Sequence, residues 1–217
     1  MSSPQYRLII ADDHPLYREA LVAGIAHHFS DSEIVQVDSY IQLFERLKKA
    51  PESFDLIIID LKMPGTQGFS GLVFLQKYFP ELPVAVVSAY DSLEVKEKCL
   101  SFGADSFISK SSSTQEIITQ IEQLLSAETL DFSQPVLTLS ESERDAKTTI
   151  EKLTPHQFHI ISLVAEGYLN KQIGDQLNIT EKTVKAHLSN IFKLMNVKNR
   201  TQAAHFFTSC RLPENPF

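Results

Sequence analysis

The chain has 217 residues and a formal net charge of -7, enough for one or two domains, each with its own core. No apolar run approaches the roughly 20 residues of a membrane span, and the first seven residues lack a signal peptide's apolar stretch, so a cytoplasmic protein with no membrane partner is expected. Cys99 and Cys210 share no metal-like or redox-like spacing, which leaves no disulfide framework and points to structural thiols in a reducing compartment.

Short apolar runs alternate with amphipathic stretches over residues 1–126, the pattern of repeated strand-helix units around a parallel sheet. Strands are expected at 6–11, 33–37, 56–60, 83–88 and 105–109, with helices at 15–29, 40–49, 70–79, 92–102 and 114–126. In the first helix Leu16, Ala20, Leu21, Gly24, Ile25 and Phe29 share one side, and Pro15 suits the first turn. In the last, Ile117, Ile121, Leu124 and Leu125 form a stripe, with Thr114 as the expected cap. The expected fold is an α/β doubly wound, five-stranded parallel sheet.

From 127 to 151 periodicity is lost and polar or acidic residues dominate, which reads as a linker with some helical character. Periodicity returns at Thr154-Pro155, a cap followed by a first-turn proline, and stays helical to Thr208 with breaks at Gly167 and Asn178. The expected organisation is an α/β domain over 1–126, a linker over 127–151 and a small all-α domain over 152–217. Charge divides unevenly: 1–126 carries 10 basic and 17 acidic residues, whereas 151–217 carries 8 and 5. A basic end on an acidic chain points toward a polyanionic partner.

The apolar run Leu56-Ile57-Ile58-Ile59 ends in Asp60, and an earlier one ends in Asp12-Asp13. A strand-end aspartate can simply cap a turn. In a parallel sheet, however, ligands bind beyond the carboxyl ends of the strands, and the strand order 2-1-3-4-5 would set Asp12 and Asp13 beside Asp60. That oxygen-lined cradle suits Mg2+ better than zinc. His14 reads as a polar residue at a helix start rather than a ligand. Ser88 and Lys110 end two further strands on the same rim. If Asp60 accepts a phosphoryl group, the metal offsets oxygen charge, Lys110 pairs with one oxygen and Ser88 donates to another.

The segments Ala11-Asp-Asp-His-Pro15, Asp60-Leu-Lys-Met-Pro-Gly65, Ser88-Ala-Tyr90 and Gly103-Ala-Asp-Ser-Phe-Ile-Ser-Lys110 resemble, in order, the receiver domains of two-component response regulators, whose fold is flavodoxin-like. The resemblance implies Asp60 as phosphoacceptor, and Asp12, Asp13 and Asp60 in Mg2+ binding with the backbone carbonyl of Lys62. It further implies Ser88 and Lys110 on the phosphate and Phe107 as a switch aromatic that turns inward when Ser88 moves. By composition alone Phe107 reads as core. Lys62 and Tyr90 fall where the family tunes dephosphorylation.

Between 169 and 195 the chain reads helix, turn at Asn178-Ile179-Thr180, then a longer helix capped by Thr180. Val184, Leu188, Ile191 and Met195 fall on one face and Lys182, Lys185, Ala186, Ser189 and Lys193 on the other. A major-groove helix needs that division, although a merely solvated lysine face has the same pattern. Leu153-Thr-Pro-His-Gln-Phe158, Leu163-Val-Ala-Glu-Gly-Tyr168, Asn170-Lys-Gln-Ile173, Ile179-Thr-Glu-Lys-Thr-Val-Lys-Ala-His-Leu-Ser-Asn-Ile191 and Val197-Lys-Asn-Arg-Thr-Gln-Ala203 resemble the LuxR-type DNA-binding domain. The resemblance implies a DNA-facing set of Lys182, Thr183, Lys185, Ala186, Ser189, Asn190 and Lys193, with Asn170 and Lys171 at the DNA backbone. It departs from the family at Pro155-His-Gln-Phe-His159, where the family usually carries charge.

The joint resemblance is to regulators of the NarL/FixJ type. It implies a transcription regulator controlled by phosphorylation, with a histidine kinase or small phosphodonor, double-stranded DNA and a second copy of itself as partners, and with dimerisation through residues 200–208. Two alternatives stand beside it. One is a phosphorylation-independent DNA-binding protein whose receiver is an interaction module. The other is an aspartyl-phosphate phosphatase or transferase, for which His14 is the only added acid-base candidate. No Gly-x4-Gly-Lys-Ser/Thr loop is present, so an ATPase is not expected.

Overall fold

A computed structural model of the chain describes residues 5–50, 53–66, 68–126 and 139–208. Five parallel strands, β1 (Arg7–Ala11), β2 (Glu33–Val37), β3 (Leu56–Ile59), β4 (Val84–Ser88) and β5 (Ser106–Ser109), form one sheet in the order β2-β1-β3-β4-β5. Helices α1 (Pro15–His28), α2 (Tyr40–Lys49), α3 (Ser70–Tyr78), α4 (Leu93–Ser101) and α5 (Thr114–Leu125) alternate with them. The order reverses at β1 and β3, which are paired from Leu8↔Leu56 to Ala11↔Ile59, so Asp12 and Asp60 leave neighbouring strand ends together.

Alternation along the strands divides the core. Ile9, Ile57, Ile59, Val84 and Val86 face the residues of α2, α3 and α4. Leu8, Ile10, Leu56, Ile58, Ala85 and Val87 face α1 and α5. Central strands are buried on both faces, whereas edge strand β2 is largely open. Two expectations need correction. Leu16 is 84% exposed and Ala20 is exposed, so the inward stripe of α1 runs through Tyr17, Leu21 and Ile25. The helix starts at Pro15 beyond the sheet rim, leaving Leu16 no sheet surface to cover. The cap of α5 is Ser113, not Thr114: Ser113 accepts from the Glu116 amide and Glu116 accepts from the Ser113 amide.

Helix α6 (Glu141–Ile150) occupies the second half of the expected linker, opened by a Ser140–Glu143 capping box. Residues 127–138, like Cys210, lie outside the described residues. Four more helices follow: α7 (Pro155–Ala165), α8 (Asn170–Leu177), α9 (Glu181–Leu194) and α10 (Arg200–Phe207). Thr154 caps α7 with Pro155 in the first turn, and Thr180 caps α9. Asn178 turns left-handed (φ 53°) and ends α8. At Gly174 a Cβ would lie 2.7 Å from the Ile179 carbonyl oxygen, so the turn closes only because this residue lacks one.

The helical half packs on the receiver-like half through a shared aromatic core. Phe158 of α7 stacks on Phe74 of α3 at 4.2 Å and lies 5.5 Å from Tyr40. Ala146, Ile150, Leu153 and Phe158 are fully buried. Polar contacts frame this core: Lys77 Nζ and Tyr78 Oη donate to the Leu153 carbonyl at 2.9 and 3.1 Å, and Lys98 Nζ lies 2.9 Å from Glu143. Among the described residues no helix is long and apolar enough to cross a membrane.

Candidate functional site

The strand ends gather a charged cluster. Lys110 Nζ lies 2.7 Å from Asp12 Oδ2 and 2.8 Å from Asp60 Oδ2, with Asp12 2% and Asp60 4% exposed. Buried carboxylates need such compensation. Burial pushes the Asp60 carboxyl above the usual range, opposed by the hydrogen bond and charge of Lys110 and by the Lys62 amide, which donates to Asp60 Oδ1 at 3.3 Å. For Lys110, burial alone would lower the pKa, but the hydrogen bonds to Asp12 and Asp60 and their charges raise it. The lysine therefore stays an ammonium. The His14 amide donates to Asp12 Oδ1 at 2.8 Å, and an Arg18 guanidinium nitrogen donates to the Asp12 carbonyl.

Asp12, Asp13, His14 and Asp60 each offer a ligand atom within 4.8 Å of the others. Asp13 Oδ1 is buried and makes no hydrogen bond, although His14 Nδ1 is 2.9 Å away, close but misaligned. Three carboxylates with an unsatisfied oxygen fit a hard divalent cation. His14 stands at the expected helix start, with no side-chain capping bond, and its ring leans over the acids, 3.2 Å from Asp12 and 3.8 Å from Asp60.

Ser88 ends β4 fully buried, and its hydroxyl oxygen accepts from the Tyr90 amide at 3.1 Å. Phe107 lies on β5 opposite Val86 and is 9% exposed, within the core. Lys62 is exposed and lines a cavity of about 410 Å³ with His14, Tyr17, Asp60, Ala89, Tyr90 and Lys110. Tyr17 was absent from the expected set. Counting back four residues from Leu21 on the Leu21–Ile25 stripe would have found it.

At the other end of the chain, Val184, Leu188, Ile191 and Met195 of α9 are buried. Lys182, Lys185, Ala186, Ser189, Asn190 and Lys193 are exposed and Thr183 is half-buried. This face stays open to solvent while the two halves are packed together. Lys185 pairs with Glu181 at 2.7 Å, an exposed i,i+4 contact that adds little and leaves the ammonium free to move. Asn170, expected at a phosphate, accepts from an Arg200 nitrogen at 3.2 Å, while Lys171 is exposed.

The chain matches the response regulator receiver domain family over residues 8–122 and the luxR family of bacterial regulatory proteins over residues 151–207. It is 36% identical over 209 residues to a glycerol metabolism activator of Pseudomonas putida, covering 91% of this chain and 93% of that relative. It is 30% identical over 201 residues to the response regulator protein VraR of Staphylococcus aureus, again covering 91% and 93%. The RcsB response regulator of Salmonella typhimurium, solved in a study of DNA interaction, has a TM-score of 0.52 at 20% identity over 95% of this chain and 98% of that one. The receiver domain of the NarL response regulator of Mycobacterium tuberculosis gives 0.51 at 26% identity over 56% of this chain and 97% of that one.

Proposed function

Given that the chain belongs to the two-component response regulators that join a receiver domain to a LuxR-type DNA-binding domain, we propose that phosphorylation of Asp60 switches it as a transcription regulator. The observation that carries this reading is the Lys110 ammonium held between two buried carboxylates. A carboxylate oxygen of Asp60 forms a bond to phosphorus as the bond to the donor's leaving group breaks and its electron pair departs. The donor is a histidine kinase or a small phosphodonor. Lys110 then pairs with a phosphoryl oxygen, and the Ser88 hydroxyl leaves the Tyr90 amide to donate to another. Asp12, Asp13, Asp60 and the Lys62 carbonyl would hold Mg2+, which neutralises charge on the transferring oxygens. Phe107, already buried, is the aromatic that follows Ser88.

Membership of a family of DNA-binding regulators sets aside the phosphatase or transferase alternative. The output surface is Lys182, Thr183, Lys185, Ala186, Ser189, Asn190 and Lys193 of α9. Because that face is open in the packed form, unmasking it is an inadequate switch. Changed dimerisation fits better, through α10, beside which Asn196, Val197, Lys198, Thr201 and Phe206 line a cavity of about 590 Å³. The RcsB bound to promoter rprA in the presence of a phosphomimetic lends the scheme a precedent. Residues 1–126 serve as the receiver, 127–151 connect, and 152–217 bind DNA.

The experiment is phosphoryl labelling from acetyl phosphate with Mg2+. Wild type should take one acid-labile phosphoryl group, and Asp60→Asn none. Equal labelling of the two would remove Asp60 as the acceptor, and no labelling of wild type by any donor or kinase would favour the phosphorylation-independent alternative.

A further inference from the structure

Tyr17 has no part in the scheme above, yet its ring centre lies 4.6 Å from Lys110 Nζ. It lines the same cavity as Asp60, Lys62 and Lys110, and its hydroxyl oxygen is buried without a hydrogen-bond partner. Helix α1 anchors it there through Leu21 and Ile25, one and two turns further on and both buried. Lys110 thus has the Asp12 and Asp60 carboxylates and an aromatic ring around a single ammonium. A cation near an aromatic face is attracted by the ring's quadrupole, more strongly where water is excluded.

We propose that Tyr17 is a positioning residue for phosphoryl transfer at Asp60, its ring holding the Lys110 ammonium at the rim. The proposal rests on Asp60 being the phosphoacceptor. Lysine is a point charge on a flexible four-carbon stem. When an Asp60 oxygen becomes bonded to phosphorus, one of the two carboxylates that fix the ammonium is lost to it. Asp12 and the ring then keep the charge beside the reacting oxygens instead of letting it swing into solvent. A donor already in place needs no reorganisation as charge develops. The ring performs this role, so removing the hydroxyl alone leaves it intact.

The test follows labelling rates from acetyl phosphate with Mg2+ for wild type, Tyr17→Phe, Tyr17→Leu, Tyr17→Met and Asp60→Asn. Tyr17→Phe should stay within about twofold of wild type, and the two ring-free variants should label about 3- to 30-fold more slowly, the span of a partly desolvated cation–π contact. The Lys110 Cε proton resonances should be shifted upfield by the ring in wild type and Tyr17→Phe, and should return toward ordinary lysine values in the ring-free variants. This signature comes from the ring itself and would not follow from a general loosening of α1. Ring-free variants that label at the wild-type rate, beside an unlabelled Asp60→Asn, overturn the proposal and leave Asp60 as acceptor. Equal slowing in Tyr17→Phe also overturns it, because the hydroxyl would then be the active part. A wild type that takes no label overturns the phosphoacceptor reading and this proposal together.

Discussion

The Gly65 amide donates to the Glu166 carboxylate across 2.9 Å, tying the loop that follows Asp60 to the end of α7, just before the helix-turn-helix. Gly65 adopts φ +90°, and a Cβ there would press on Ile41 at 3.2 Å, so the loop reaches this pose only with glycine. Beside this contact, Glu166 lines a cavity of about 500 Å³ together with Asp13, Lys62 and Tyr90. The contact joins the loop after Asp60 directly to the helical half.

Glu166→Ala should leave the Gly65 amide without its acceptor in a part-buried contact and cost about 1–3 kcal/mol of stability, the penalty for an unpaired donor. Glu166→Gln, which keeps an acceptor, should lose less. Urea denaturation of the three proteins measures both. A Glu166→Ala protein as stable as wild type would mean that the contact carries no weight in solution.

Phe158 joins the two halves, so its removal should be felt in both. It is fully buried between Phe74, Tyr40 and Phe207, and truncation of such a ring costs about 3–5 kcal/mol. Calorimetry should give one endotherm for wild type and, for Phe158→Ala, a lower midpoint with the two halves melting apart. Two separate endotherms in wild type would contradict the shared core.

His159 predicts a pH dependence. It is 5% exposed, its Nε2 has no hydrogen-bond partner, and it packs edge-on to Phe44 of α2 at 5.8 Å. Burial lowers its pKa from 6.5 to about 4, with Glu45 opposing and His156 and Lys48 assisting. The unfolded chain therefore binds the extra proton first. The contribution of neutral His159 is fully present above about pH 6.5 and is lost as pH falls toward 4. Wild type should lose about 2 kcal/mol more than His159→Leu between about pH 7.5 and 5, at about 1.4 kcal/mol per pH unit below 6.5. Parallel stability curves for the two proteins would contradict this.

On α9, Lys185→Ala should weaken DNA binding and reduce the magnitude of the salt-dependence slope by about one, the signature of one lost phosphate contact. Binding titrations over a series of salt concentrations measure it. An unchanged slope would take Lys185 out of the interface.

Much of this arrangement can be read from residue order. Apolar runs ending in Asp12, Asp60 and Ser88 identify both the strands and the rim, because a two-face-buried strand must be apolar until it leaves the sheet. Asn178 marks the turn of the helix-turn-helix by backbone demand, adopting the left-handed conformation that ends α8. Other features were hidden for physical reasons. Ser113 and Thr114 are adjacent hydroxyls, and only Glu116, three residues after Ser113, decides the cap. Leu16 shares a helical side with Leu21 by spacing, but it sits in a turn with nothing beneath it. Phe158 and Ala146 would look the same whether they filled their own domain's core or a partner's. Glu166 is an ordinary exposed acid until the Gly65 loop arrives from 101 residues earlier.

DNA binding and oligomeric state, measured for wild type and Asp60→Asn with and without acetyl phosphate and Mg2+, bear most directly on the coupling between the two ends of the chain. Phosphodonor and Mg2+ should together raise the DNA affinity and dimer fraction of wild type and leave Asp60→Asn unmoved. Wild-type binding and assembly that do not respond, under conditions where Asp60 is labelled, would contradict the switch.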